Sequence, residues 1–172
     1  MEWEVDMRAT LIALCAAVAL VGALGSGAWA GDVFSYGGHY YFLTEVLNWV
    51  DAEAAAAVEG GHLVTVNDSD EHNWLVSTFT DESYWIGFHR PSGVDYLWAS
   101  GEPVTFTNWV LDEPTMGEEY YVAMNQHEPG GWNDVGASWM LAGIAEVVPE
   151  PSSLLALAGG LLCLGGLVKR RA

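Results

Sequence analysis

The side chains that could do chemistry in this chain are overwhelmingly carboxylates. Of 23 acidic residues, all but Glu2, Glu4, Asp6 and Glu150 fall between residues 31 and 148, where Arg90 is the only Lys or Arg. A segment so charged repels itself, and a bound divalent cation relieves the repulsion. Other chemistries lack their residues. His39, His62, His72, His89 and His127 show no paired spacing for a zinc site, and both cysteines, Cys15 and Cys163, lie outside the segment. With acids this dense, close carboxylate pairs are unavoidable, so none of them identifies a glycosidase dyad. No nucleophile elbow, phosphate loop or Ser/His/Asp order is present, and Ser35, Ser83 and Ser138 are ordinary. The residues point to binding, not to an enzyme.

The elements that position these acids come from an unusual composition. The 172 residues carry a net charge of −18, yet 51% are hydrophobic, with 9 Trp and 20 Gly. A disordered acidic chain lacks that apolar content. A nucleic-acid partner is excluded, because nothing basic replaces counterions on phosphate.

Both ends read as addresses. Leu11 to Leu24 is apolar and is followed by Ala28-Trp29-Ala30, so residues 1–30 read as a signal peptide. Glu2, Glu4 and Asp6 precede Arg8, whereas a start at Met7 gives an ordinary basic n-region. At the other end, Pro149-Glu150-Pro151 is followed by an apolar stretch from Leu154 to Val168 and then Lys169-Arg170-Arg171. As a helix, residues 152–168 reach about 26 Å, enough for a thin bilayer with the bases held on the cytoplasmic side. This tail, residues 149–172, resembles the PEP-CTERM sorting signal of Gram-negative bacteria. The resemblance implies a transmembrane helix with a basic tail, processing by an exosortase-type protease, and an exported product at the cell envelope, cell surface or exopolysaccharide.

Between the addresses, residues 31–148 form one domain without cysteine. Phe34 to Leu43 reads as a strand broken by a turn at Gly37-Gly38, and Thr44 as the N-cap of a helix burying Trp49, Ala52 and Ala56 and stopping at Gly60-Gly61. Leu63 to Val66 reads as a strand. Asp68 then caps a second helix to about Phe79, burying Trp74 and Leu75, with Glu71 closing a capping box. Tyr84 to Phe88 reads as a buried strand, and Trp139 to Val147 as the last one. From Arg90 to about Trp132 the chain is rich in Pro, Gly, Asn and Asp, with short pieces such as Tyr96-Leu97-Trp98 and Tyr121 to Met124. Long loops within a small domain are usually functional. Two helices first and short strands later indicate an α+β fold.

The motifs then become specific. Trp49 to Ala55, Gly60 to Val66, Glu71-His72-Asn73-Trp74-Leu75, Trp85-Ile86-Gly87-Phe88, Trp98, Gly101-Glu102-Pro103, Asn108-Trp109, Glu113-Pro114, Trp132-Asn133-Asp134 and Ile144-Ala145-Glu146 occur in order. Together they resemble the C-type lectin-like domain over about 110 residues, essentially the whole of residues 31–148. The resemblance implies two helices with short antiparallel sheets and a long calcium- and sugar-binding loop region. Where the family commonly carries two disulfides, this chain has Ala56 with Ala145 and Tyr121 with Ala137.

The resemblance also implies a site. Ca2+ takes about six to eight hard oxygens. Glu113 matches the first acid, Pro114 the cis proline, Glu119 the second acid with Glu118 as the alternative, and Asn133 with Asp134 the closing pair. Thr115 stands where Asn or Asp is expected and ligates calcium poorly, a gap that Asp112, Glu118 or water could fill. Two sugar hydroxyls would share the ion and hydrogen-bond to Glu113, Glu119, Asn133 and Asp134. Glu at the first position leans toward mannose- or glucose-type glycans. The family's auxiliary calcium site is expected to be absent, because Arg90 stands where an acid belongs. The competing expectation is an adhesion or matrix protein with a degenerate site, recognising a protein without calcium or sugar.

Overall fold

The computed structural model describes residues 31–80, 82–91 and 95–149. The expected signal peptide and the C-terminal helix lie outside the described residues, among which no helix is long and apolar enough to cross a membrane.

Strands β1 (Phe34–Tyr36) and β2 (His39–Leu47) form the hairpin expected at Gly37-Gly38, whose φ angles of 59° and 94° suit glycine. The first helix starts later than Thr44. Leu43, Val46 and Leu47 remain paired, across a bulge, with the last strand β8 (Leu141–Val147), and the Thr44 Oγ1 accepts the Gly143 N–H at 2.8 Å. Tertiary pairing thus overrides the local cap signal. Asn48 caps α1 (Trp49–Val58) instead, its side chain accepting the Asp51 N–H at 3.0 Å. Trp49, Ala52 and Ala56 are buried as the helical spacing requires. Beyond the helix, Gly61 runs so close to β8 that a Cβ would lie 2.0 Å from the Glu146 carbonyl oxygen.

Residues 63–66 are all fully buried, but only His62–Leu63 (β3) pairs as a strand, on β8. Asp68 caps α2 (Ser69–Thr78) by accepting the Asp70 and Glu71 N–H groups at 2.9 Å. The Glu71 carboxylate overshoots the capping box by one residue and accepts the Asn67 N–H at 2.9 Å. Trp74 is half-buried, not buried, because it lies over the hairpin and stacks on Tyr36 with centroids 4.9 Å apart.

The remaining strands are β4 (Tyr84–His89), β5 (Leu97–Trp98), β6 (Glu119–Met124) and β7 (Trp132–Gly136). They order as β1-β2-β8-β4-β6-β7, with β3 on β8 and β5 on β4; β4 and β8 run parallel and the other pairs antiparallel. The fold is α+β. β8 begins at Leu141, two residues after the expected Trp139, because a turn bond from the Trp139 N–H to Gly136 leaves Trp139 and Met140 exposed. Apolar packing occupies one of the two disulfide positions: Ala56 and Ala145 are fully buried in one cluster with Phe42 and Val147. At the other, Tyr121 stacks on Trp49 at 4.9 Å while Ala137 is exposed.

Two carboxylates are buried under the hairpin, Glu71 and Glu146. The Tyr41 hydroxyl lies 3.0 Å from Glu71 Oε1 and 3.2 Å from Glu146 Oε1, and its one proton serves only one of them at a time. Burial, and to a lesser degree the Glu146 charge, raise the Glu71 pKa. A carboxyl whose folded pKa exceeds its unfolded value takes up a proton on folding. Its contribution is therefore greatest in acid and is lost as pH rises from the ordinary carboxylate value through the raised one. Glu71→Gln keeps an acceptor for the Asn67 N–H and removes the titration. It is expected to flatten this slope and to melt at an equal or higher temperature at neutral pH, which melts at several pH values would measure.

Candidate functional site

The long loop between β5 and β6 is pinned to the start of β7 before it reaches the acids. The Trp132 N–H donates to the Asn108 carbonyl at 2.9 Å, and the Val110 N–H to the Trp132 carbonyl at 3.0 Å, so Trp109 and Trp132 lie in a parallel bridge. The Asn108 Nδ2 also donates to the Gly130 carbonyl at 2.9 Å. Trp132 is fully buried, with Trp98, Trp109, Phe88 and Phe106 at centroid distances of 5.8–6.2 Å. Three residues beyond Val110, the Glu113–Pro114 peptide is cis, between Asp112 and Met116 at φ angles of 67° and 69°.

This route brings Glu113, Thr115, Glu119 and Asp134 together. Asp134 is fully buried, with Oδ1 accepting the Thr115 N–H at 3.0 Å and Oδ2 accepting the Met116 N–H at 3.0 Å and the Tyr96 hydroxyl at 2.5 Å. Glu113 Oε2 accepts the same Thr115 N–H at 2.7 Å. The Thr115 hydroxyl donates to Glu119 Oε2 at 2.6 Å, whereas Glu118 is exposed. Partial burial, and then the neighbouring Asp134 carboxyl group, raise the Glu113 pKa. Burial and the bond to Asp134 likewise raise the Tyr96 pKa, which keeps that phenol a donor.

Asn133 is the neighbour of Asp134 on β7 and pairs with Ala123. It shares no hydrogen bond with Glu113, Thr115 or Glu119, and its Oδ1 is buried without a partner among the described residues. Among those residues no three His, Cys, Asp or Glu side chains converge closely enough to hold a metal ion by themselves.

Two residues that the sequence reading did not assign to the site hold it together. Tyr96 was visible only as part of a short strand piece. Arg90 was visible only as a base standing where an auxiliary ligand belongs. Arg90 is 4% exposed, and its guanidinium donates to the carbonyls of Gly117 at 2.9 Å and Glu119 at 3.0 Å. It also packs 5.0 Å from the Tyr120 ring and 5.8 Å from the Tyr96 ring. One cation therefore braces the backbone of Glu119 and the tyrosine bound to Asp134. A lone base in so acidic a segment is the signal that could have suggested this.

Residues 45–144 match the family described as Lectin C-type domain, and residues 147–171 match the PEP-CTERM protein-sorting motif. Layilin of Cricetulus griseus is 32% identical over 109 residues, covering 55% of this chain; the chain spans 29% of layilin. Herring type II antifreeze protein superposes with a TM-score of 0.65 at 18% identity, over 70% of this chain and 99% of the other. The cow C-type carbohydrate-recognition domain of CD23 gives a TM-score of 0.62 at 23% identity, over 69% and 94%. At these identities the two structures establish a shared fold.

Proposed function

Because this chain belongs to the C-type lectin domain family and carries a PEP-CTERM sorting motif for export to the cell envelope, we propose that it binds carbohydrate through calcium at the Glu113–Asp134 cluster. The observation that carries this reading is the gathering of Glu113, Glu119 and Asp134 around Thr115, with the Asn133 Oδ1 left buried and unpartnered beside Asp134. The donor set is all hard oxygen, which fits Ca2+, and an unpaired amide oxygen is a group that a calcium shell would use. Glu113, Glu119, Asn133 and Asp134 would hold the ion, with Thr115, backbone carbonyls and water completing it.

Bound calcium would supply direct coordination for two adjacent sugar hydroxyls. The protein's part is to orient those hydroxyls, the carboxylates of Glu113 and Glu119 accepting from them and the Asn133 amide donating. A glutamate at the first ligand position, Glu113, favours a mannose- or glucose-type ligand. Members of this family are generally binding proteins and not enzymes, and we assign no catalytic step. The sorting segment would be processed by an exosortase-type protease, leaving a product at the surface or in the exopolysaccharide of a Gram-negative cell.

Thr115→Asn tests the weakest ligand directly. An amide oxygen reaches further than a hydroxyl and its nitrogen can still donate to Glu119, so calcium affinity should rise by roughly tenfold, the worth of one good ligand contact. A weaker affinity by calorimetry would show that Thr115 is not at the ion.

One observation favours a second reading, an adhesion or matrix protein that binds a protein without calcium. Both Asp134 oxygens already accept protein donors, so the loop holds its shape on its own hydrogen bonds. Calcium-dependent retention on a mannose resin, competed by free mannose, would argue against it, whereas a folded protein that neither binds calcium nor is retained would support it.

A further inference from the structure

The surface beyond Glu113 continues as a groove. A cavity of about 360 Å³ is lined by Val110, Leu111, Glu113, His127 and Glu128. A second, of about 500 Å³, has His127 and Glu128 as its near wall and Glu82, Ser83 and Asn125 beyond them. Each falls within the range of about 300–1,000 Å³ typical of small-ligand sites. The two cavities meet at His127 and Glu128, which line both, and the first of them reaches from Glu113 past Leu111 to that wall.

The groove is built, not incidental. Asn125 Nδ2 donates to the carbonyls of Phe79 at 2.9 Å and Glu82 at 3.0 Å, and its Oδ1 accepts the Gly130 N–H at 2.8 Å. These bonds tie the β6–β7 turn to the end of α2. Among the described residues the non-glycine positions with positive φ are Asp112, Met116, Asn125 and His127. Two flank Glu113–Thr115 and two line the second cavity, a clustering expected where surrounding structure imposes a binding shape.

The chemistry of the lining selects a ligand. Glu82, His127 and Glu128 are exposed acceptor-bearing groups without side-chain hydrogen bonds among the described residues, and Leu111, 89% exposed, offers an apolar face. The only Lys or Arg in residues 31–148 is Arg90, which is buried against loop carbonyls. This surface has carboxylates for hydroxyl donors and no fixed cation for an acidic sugar.

We propose that the ligand is a chain of neutral sugars, with one residue at Glu113 and at least one more between Leu111 and the His127–Glu128 wall. This rests on the carbohydrate reading above. The test is calorimetry on the full chain with calcium, using mannose, linear mannotriose and a guluronate trimer as probes. Mannotriose should bind roughly tenfold tighter than mannose, as one or two added hydrogen bonds to charged groups require. His127→Gly accommodates the φ of 61° and should leave mannose affinity unchanged. It should reduce the trimer's advantage to about threefold, the statistical gain of three equivalent residues, and Glu128→Gln should do the same in part. A wild-type advantage of about threefold or less for mannotriose over mannose, the statistical gain alone, overturns the groove and leaves the Glu113 site standing. Tighter binding of the guluronate trimer overturns the neutral-chain assignment. Binding of none of the three overturns the carbohydrate reading and the groove together.

Discussion

Asp134→Ala is expected to abolish calcium binding and retention on a mannose resin together, and to lower Tm by roughly 10 °C, the equivalent of about 3 kcal/mol in a domain of this size. The carboxylate is fully buried and accepts the Thr115 and Met116 N–H groups and the Tyr96 hydroxyl. Truncation removes the acceptor of the Met116 N–H and the Tyr96 hydroxyl, leaves the Thr115 N–H to Glu113 alone, and releases the turn that carries Glu113. Asp134→Asn keeps one acceptor oxygen, so it should lose metal binding while retaining much of the stability. Circular dichroism establishes whether the variant is folded. A folded Asp134→Ala protein that still requires calcium for retention would place the metal elsewhere.

Arg90→Met should be nearly as damaging, by about 2–3 kcal/mol, although Arg90 lies outside the proposed ligand set. Removing the guanidinium strands the Gly117 and Glu119 carbonyls and takes away the packing against Tyr96 and Tyr120. Arg90→Lys restores a charge but not the planar fork that serves two carbonyls, so it should rescue only part of the loss. Amide exchange localises the effect: protection should fall across residues 112–120 and stay unchanged in α1. Uniform loss of protection would make Arg90 an ordinary core residue.

The legible part of this protein is the part written locally. The Gly37-Gly38 hairpin, the buried face of α1 and the Asp68 cap follow from residues within a few positions of one another. Thr44 misled for the opposite reason: its local capping signal lost to the pairing of β2 with β8, a partner 99 positions away. Trp139 lost its place in β8 to a turn bond that no alternation pattern displays. At the site, Glu113, Thr115, Glu119 and Asp134 were nameable because their motif spacing resembles a family. Tyr96 and Arg90 carry no motif, and their roles arise only when the loop folds back onto β4 and β7. Side chains that act through backbone carbonyls are invisible to spacing, because any residue supplies a carbonyl.

The Asp134 network also bears on how the loop works without disulfides. Asp134, Tyr96 and Arg90 form a connected polar brace that reaches from β4 through the loop to β7. The bonds from Arg90 to the Gly117 and Glu119 carbonyls and from Tyr96 to Asp134 hold the loop backbone to both strands. A cation arriving at Glu113 and Glu119 would meet a loop already shaped, so binding would carry little ordering cost.

The most direct test of a calcium-dependent carbohydrate site is calorimetric titration of Ca2+ into the chelator-stripped protein, followed by a melt with and without the ion. We predict one stoichiometric site and a Tm that climbs with calcium concentration, as binding to the native state requires. No heat at millimolar calcium and an unchanged Tm would contradict it and leave the protein-binding reading in its place.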